Sequence, residues 1–595
     1  MKSIKTFFRK NRKWLTLFTV ASSLFMILLD GNVVNLAIPK ILVDFNATIA
    51  QMEWVNNAYL LTFAVFLITL GRLGDSFGRK KFFMGGLVLF VVGSFLCGYS
   101  QNVTQLVLLR VIQGIGGAAM MPATLSLLVA NFKKKERGIA FGVWGAVAGL
   151  AIVLGPIIGG YLTDNGLGSG INSFLGIREL WRYVFYVNIP VGIVAFLFAT
   201  LIPESMDTTK KHSIDFLGII LSASSIFLLT FGFIEGQKYG WLHPNDQFVL
   251  FGKEVVFTNI GNIGAIPVIF LFSIILGIIF VIYESRGISD PLVDLGLFKK
   301  RNFSVGSFSG AVLSFAMMGA FFLLPLYLEI VLGFSAIKAG ITILPLAIAI
   351  MISAPVAGRL SDKIGAKYFI IAGMAVMAIG FYLLGFLKVN TTESELILPF
   401  VVTGLGIGLS MSPLANITLL DIPESEAGGA SGVFSTTRQI GSVMGIAILG
   451  AFLQTQIATN IDKNLQTIQG LPVDTRQAIV DVTKKGNYLN QQAAVETQLK
   501  ADMEKAIKAE IQKAMAASSA QTNKFLDPRL AAKAQAEAVA ALQKKLLAKF
   551  QKIGNEIGTQ SKQSFTDSID VTVKIASLIA LFGAVSAFAF KNRRV

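Results

Sequence analysis

The stretch Gly71-Arg72-Leu73-Gly74-Asp75-Ser76-Phe77-Gly78-Arg79-Lys80 recurs as Gly358-Arg359-Leu360-Ser361-Asp362-Lys363-Ile364-Gly365-Ala366-Lys367. Six of the ten positions are identical, at the same spacing: Gly, Arg, Leu, Asp, Gly and Lys. Each copy follows one long apolar run and precedes another. A polar, glycine-bearing turn between two such runs reads as a short loop joining two helices. Its recurrence implies that a helical unit has been duplicated.

The apolar runs on either side set the solvent. Leu15–Leu29, Phe82–Tyr99, Phe216–Phe233, Ile266–Tyr283 and Tyr368–Leu387 approach or reach the roughly 20 residues needed to cross a bilayer. The chain has 595 residues, 53% hydrophobic and 15% charged, with a mean hydropathy of +0.65. A soluble domain carries about a quarter charged residues. Backbone polar groups in lipid must be satisfied within each segment, so the spans are helices and the fold class is an all-α integral membrane protein. About fourteen spans are expected, the first near 15–39 and the last near 569–590.

Charge then sets orientation. The basic clusters Arg9–Lys13, Arg79–Lys81, Lys133–Arg137, Lys210–Lys211, Lys299–Arg301, Lys363–Lys367 and Lys591–Arg594 all fall on one side of a fourteen-span chain. By the positive-inside rule that side is cytoplasmic, and so are both termini. The net charge of +17 is therefore read as loop charge facing anionic lipid rather than as a nucleic-acid surface. Cys97 is alone, and His212 and His243 are far apart, so neither a disulfide framework nor a metal cluster is expected. Met1–Trp14 is basic and the run behind it lacks a small-residue cleavage site, so no cleavable leader is expected.

The two loop copies lie between spans 2 and 3 and between spans 10 and 11. A duplicated six-helix unit would place them six spans apart, so two extra helices separate the halves. The expected organisation is a six-helix bundle at 1–203, two linking spans at 204–290, five helices of a second bundle at 291–454, an insertion at 455–568 and a last span with its tail at 569–595. The insertion is rich in Ala, Lys and Gln. Ala493–Ala517 and Asp527–Phe550 read as two helices of an outer hairpin, with Asp527-Pro528 as a helix start. A solvated loop is the alternative.

Ionisable groups deep in a span are costly and therefore candidates for function. Asp30 lies about nine residues, or roughly 14 Å, from the outer end of span 1. On span 4, Arg110 lies about 9 Å and Gln113 about 14 Å below the outer end by the same rise. The three are at comparable depth. A carboxylate beside a guanidinium is favoured in its charged form while desolvation opposes it, so a small movement alters proton affinity. A static pair that fixes packing is the alternative. Glu53 and Glu329 fall near the outer ends of spans 2 and 9, as interfacial carboxylates or an outer gate. Glu235 reads as interfacial, and Arg438 as an arginine reaching back to the cytoplasmic face.

These residues carry a resemblance. Gly71–Lys81 is similar to motif A of the major facilitator superfamily, and Asp30-Gly31-Asn32-Val33-Val34-Asn35 resembles the first-helix motif of its fourteen-helix drug:proton antiporters of EmrB/QacA type. Arg110-x-x-Gln113-Gly114-x-Gly116 resembles motif B, and Gly155-Pro156-x-x-Gly159-Gly160 resembles motif C. Trp181-Arg182-Tyr183-x-Phe185-x-x-Asn188-x-Pro190-x-Gly192 and Pro325-Leu326-Tyr327-Leu328 fit the same subfamily. The resemblance spans roughly residues 10–455 and the last span. It implies a major facilitator fold of two six-helix bundles plus two central helices. It implies Asp30 as proton carrier and Arg110 as its modulator. It implies that motif C is a seam closing a leak path in an exporter. It implies that Asp75, Gly78 and Arg79 form a cytoplasmic latch with Asp75 against a helix N-terminus. Asp362 would mirror that latch more weakly, since Ala366 replaces the arginine. The chain departs from the pattern where Asn32 replaces a usual threonine, and where Glu53 and Glu329 replace glutamines. Asn35, Tyr59, Gln113, Met120, Phe322 and Met411 are expected to line the cavity, soft side chains suiting a broad site.

No phosphate-binding loop, metal cluster or nucleophile motif appears, so an enzyme is not expected. The expected activity is proton-coupled efflux of lipophilic, often cationic compounds, by a monomer in a bacterial cytoplasmic membrane that meets protons and lipids but needs no cofactor. A dedicated exporter of a lipid, fatty acid or secreted metabolite is the alternative. A non-transporting sensor is a third class.

Overall fold

The computed structural model describes residues 11–47, 49–166, 179–204, 214–244, 247–250, 253–254, 263–286, 290–468, 471, 473–484 and 528–591, with 508–509, 512–513 and 516. Among them, fourteen helices are long and apolar enough to cross a membrane. They are α1 (Arg12–Asp44), α2 (Ile49–Phe77), α3 (Arg79–Tyr99), α4 (Val103–Asn131), α5 (Lys134–Asn165), α6 (Leu180–Thr200), α7 (Phe216–Tyr239), α8 (Ala265–Ser285), α9 (Arg301–Leu326), α10 (Ala336–Ile364), α11 (Ala366–Leu384), α12 (Glu393–Leu419), α13 (Ala427–Leu465) and α14 (Pro528–Ser586). Most outrun their apolar stretches at one or both ends, because hydropathy marks only the part of a helix that lies in lipid. A two-residue strand pair, Val249–Leu250 with Lys253–Glu254, sits between α7 and α8.

The duplicated loops make the same turn. Gly78 and Gly365 both adopt positive φ, 107° and 112°. Each terminates one helix by donating its N–H to the residue four back, and the next helix starts at once. Only glycine takes that backbone without a Cβ clash.

Packing repeats with the turn. In the first half α1 packs on α5 and α6, α2 on α4, and α3 on α4 and α6. In the second half α9 packs on α13 and α14, α10 on α12, and α11 on α12 and α14. Adding eight to each helix number converts one set into the other. The halves then meet through two equivalent pairs, α5 with α10 and α13 with α2. These seams are tight. A Cβ on Gly138 of α5 would stand 2.0 Å from the Gly358 carbonyl oxygen of α10, and one on Gly71 of α2 would stand 2.8 Å from that of Gly428. Small residues let backbones approach where no hydrophobic force between helices exists in lipid.

The extra helices α7 and α8 pair with each other, and α7 also touches α2 and α13. Asn57 of α2 donates to Glu235 of α7 at 3.1 Å, and Gln237 of α7 donates to Gln454 of α13. Thus α7 bridges the halves. The α8 surface exposes Leu271, Phe272, Ile274, Ile278 and Ile282, as a lipid-facing helix should.

At the opposite end from the repeated loops, α13 and α14 continue past the bilayer. Their 39 and 59 residues give lengths of about 58 and 88 Å, against a hydrocarbon core of about 30 Å. Asn460 donates to Ser568 at 2.9 Å and Asn464 to Ser564 at 2.8 Å, holding the two together. A short helix, Val473–Lys484, folds back on α13. The expected boundary at 568/569 falls inside α14. The Ala- and Lys-rich stretch has high helix propensity, so nothing stops the helix where the composition changes. Most of the first expected hairpin helix, Ala493–Ala517, lies outside the described residues.

Candidate functional site

Asp30 sits on α1 with none of its surface exposed, and Arg110 on α4 is 1% exposed. Arg110 Nη1 donates to Asp30 Oδ2 at 2.5 Å and to Gln113 Oε1 at 2.7 Å. Gln113 Nε2 donates to Asp30 Oδ1 at 2.8 Å. The position three residues on along α4 places Gln113 beside Arg110, so one helix face presents both donors. Asn188 of α6 adds a further donor to Asp30 Oδ1 at 2.8 Å and is itself steadied by Ser94 of α3 at 2.9 Å. Arg110 Nε donates to the Val55 carbonyl of α2 at 3.1 Å, and the guanidinium lies 4.2 Å from the centre of the Tyr59 ring.

Five helices therefore converge on one carboxylate. An isolated buried charge would be very unfavourable, and the donors offset that cost. In all three bonds to Asp30 a carboxylate oxygen accepts from an N–H donor. Two buried oxygens beside the network, Tyr59 Oη and Asn188 Oδ1, have no hydrogen-bond partner among the described residues. Sequence reading found Asp30, Arg110 and Gln113 from depth along two helices. It quoted Asn188 without a role and missed Ser94, whose burial depends on how α3 meets α6.

The other candidates separate by place. Gln113 and Met120, expected in the cavity wall, are fully enclosed: Gln113 by the Asp30 network and Met120 at the crossing of α3 and α4 near Gly86. Tyr59 is enclosed as well, turned onto Arg110. Met411 is nearly enclosed on α12. Asn35 is exposed and accepts from Asn56. Phe322 is 41% exposed beside Gly450 of α13. Glu53 stands at the outer end of α2, 4.0 Å from Lys238 of α7, and Glu329 lies half-exposed in the π-turn Tyr327–Val331 that ends α9. Among the described residues, neither glutamate bonds to Asp30 or Arg110. Glu235, read as interfacial, is buried against Asn57 because α7 packs on α2.

Motif C divides its contacts. Gly155 and Gly159 face α1, where a Cβ would meet Asn32 at 2.6 Å and Leu36 at 3.0 Å. Gly160 faces Ile337 of α10, and Pro156 faces Gly340. The seam expected between bundles is thus shared with α1, the helix that carries Asp30. A helix turns its residues through 100° each, so a run of six cannot face one neighbour only.

At the end bearing the repeated loops, Asp75 of α2 accepts from the backbone N–H groups of Gly428 at 2.9 Å and Gly429 at 2.7 Å. These are free donors of the first turn of α13, where the helix dipole also favours a negative charge. Arg79 donates to Asp75 at 2.8 Å and to the carbonyl of Glu424. Gly71 and Gly78 frame this contact, as the close seam and the turn. Asp362 stands in the equivalent place. It accepts from Asn416 at 3.0 Å and from the backbone N–H of Gly138 of α5. Each half thus sends one carboxylate into the other half near the start of a helix.

The sequence matches the profile of the Major Facilitator Superfamily over residues 20–446. The chain belongs to the major facilitator superfamily. It is a multi-pass membrane transporter of that superfamily. It is 32% identical over 470 residues to the multidrug transporter protein MdtP of Bacillus subtilis, covering 78% of this chain and 80% of that one. It is 31% identical over 449 residues to the tetracenomycin C resistance and export protein of Streptomyces glaucescens, covering 75% and 77%. The riboflavin transporter RibZ of Clostridioides difficile is 31% identical over 452 residues, covering 76% and 90%. Among solved structures, the proton:xylose symporter XylE has a TM-score of 0.51 at 14% identity, covering 73% of this chain and 87% of that one, a likeness of fold alone.

Proposed function

We propose that this superfamily member is a proton-coupled drug exporter that works by alternating access in the cytoplasmic membrane of a bacterium, with both termini inside. The observation that carries the reading is the buried Asp30, which accepts hydrogen bonds from Arg110, Gln113 and Asn188. A proton reaching Asp30 weakens the tie between α1, α4 and α6. Because α1 also packs on motif C, that change is passed to the α5–α10 seam. Similarity to multidrug and antibiotic exporters supports the export direction.

The repeated loops supply the gate. Asp75 and Asp362 hold the cytoplasmic ends of the two halves together, as an outward-facing state requires. The proton gradient is the energy source, so no cofactor is needed, and a monomer is sufficient because both halves lie in one chain. A lipophilic dye should enter everted vesicles containing the protein when a pH gradient is imposed, and stop when a protonophore collapses it. Inert dyes with moving lipid would favour a dedicated lipid exporter, and no movement of any cargo would sink the reading.

A further inference from the structure

Arg438 on α13 is the other deep arginine, and it is not at the cytoplasmic surface. It lies eleven residues after Ala427, about 16 Å along the helix, too far inside to reach back. Its Nε donates to Ser314 of α9 at 3.3 Å. Its guanidinium stands 5.7 Å from the Trp144 ring of α5 and 5.7 Å from the Phe434 ring of α13. Trp144 is ten residues into α5, about 15 Å, so the two side chains meet at matching depth from opposite halves. Gly310 leaves room for them: a Cβ there would sit 2.9 Å from the Phe434 ring and 3.2 Å from Arg438 Cγ.

Among the described residues, no carboxylate lies within ion-pair distance of Arg438. Ser314 is the one protein hydrogen-bond partner described for it, although a guanidinium offers five N–H donors. The side chain keeps part of its surface open despite its depth. A charge in that position normally marks a ligand or ion path. Two aromatic rings flank the guanidinium without consuming its donors. A planar fork with free donors matches a carboxylate in two parallel bonds.

The geometry points to Arg438 as the recognition residue for an acidic group on the cargo, so that the exporter takes lipophilic organic anions, aromatic carboxylates above all. This rests on the reading of the chain as an exporter and names its substrate class. It replaces the expectation of cationic cargo, which assumed acidic side chains facing the cavity. Asp30 is enclosed instead, and Glu53 and Glu329 stand at the outer ends of their helices. The carboxylate of the cargo would meet the Nη donors, while Trp144 and Phe434, both fully buried, flank the arginine and do not touch the cargo. Exchange of one proton inward for one monoanion outward moves two positive charges inward, so a membrane potential negative inside drives it. A monocation exchanged for one proton moves none.

The test uses one dye in two forms, a lipophilic aromatic carboxylate and its neutral ester. Binding to the purified full chain is read by fluorescence anisotropy, and transport by uptake into everted vesicles. The native protein should bind the carboxylate more tightly than the ester. Arg438→Gln should weaken carboxylate binding by roughly tenfold or more and leave the ester unchanged, since only a charge-assisted bond is lost. Arg438→Lys, which keeps the charge and loses the fork, should fall between them and serves if the glutamine variant does not fold. Equal loss for both dye forms would make Arg438 a structural residue and overturn the proposal, as would native preference for a cationic dye. Because binding is read without a gradient, failure here differs from failure of proton coupling, where no dye of any charge follows the pH gradient.

Discussion

Arg110 and Arg438 are both deep in the membrane and are differently surrounded. Arg110 is paired: a carboxylate, an amide oxygen and a backbone carbonyl accept three of its donors, and Tyr59 covers one face. Arg438 has one hydroxyl and two rings. The contrast separates two uses of one side chain. A paired arginine compensates the charge of its neighbour, and here that neighbour is Asp30, the proposed proton carrier. One without a carboxylate partner is proposed to take one from outside. Each use has its own response to substitution.

The largest effect should follow Arg110→Leu. It leaves Asp30 buried without its counter-charge, a loss of about 3–5 kcal/mol. Thermal unfolding in detergent measures it, and the double variant Asp30→Asn with Arg110→Leu should recover much of the loss. A single variant as stable as the native protein would break the distinction between the two arginines. The next largest belongs to the gate. Asp75→Ala removes an acceptor for two helix-start N–H groups and Arg79, about 2 kcal/mol in favour of opening the cytoplasmic side. Labelling of an engineered cysteine at that end, in a Cys97→Ser background, reads the shift. Asp362→Ala should give about 1 kcal/mol, because only Asn416 and one backbone N–H are lost. Equal effects would mean that Arg79 adds nothing to the first latch.

The smallest effect is expected at the outer arm. A cavity of about 410 Å³ lies at its foot, lined by Gln237, Trp241, Gln454, Thr459, Asp462 and Val480. Replacing residues 470–560 by a short linker should slow efflux by less than about tenfold, through this foot, without uncoupling it from protons. Efflux at the native rate would remove any gating role for the arm.

Much of the fold was legible because bilayer thickness imposes a length on every span and because one loop occurs twice. The two extra helices followed from counting between the copies. What was hidden depends on tertiary placement. Nothing in the run from Pro528 onward marks a break in the helix where lipid begins, since alanine, lysine and glutamine continue a helix as readily as leucine does. Motif C was legible as small residues, but its division between α1 and α10 follows from helix rotation. Depth along two helices was enough to find Asp30 and Arg110. It was not enough for Asn188, Ser94 or the surroundings of Arg438, which come from other helices.

The central claim is that Asp30 carries the coupling proton. It is tested most directly by comparing two modes of transport in the Asp30→Asn protein reconstituted in vesicles. The account predicts that exchange of labelled for unlabelled cargo, which needs no gradient, continues, while accumulation driven by a pH gradient is lost. Accumulation at the native level would contradict it.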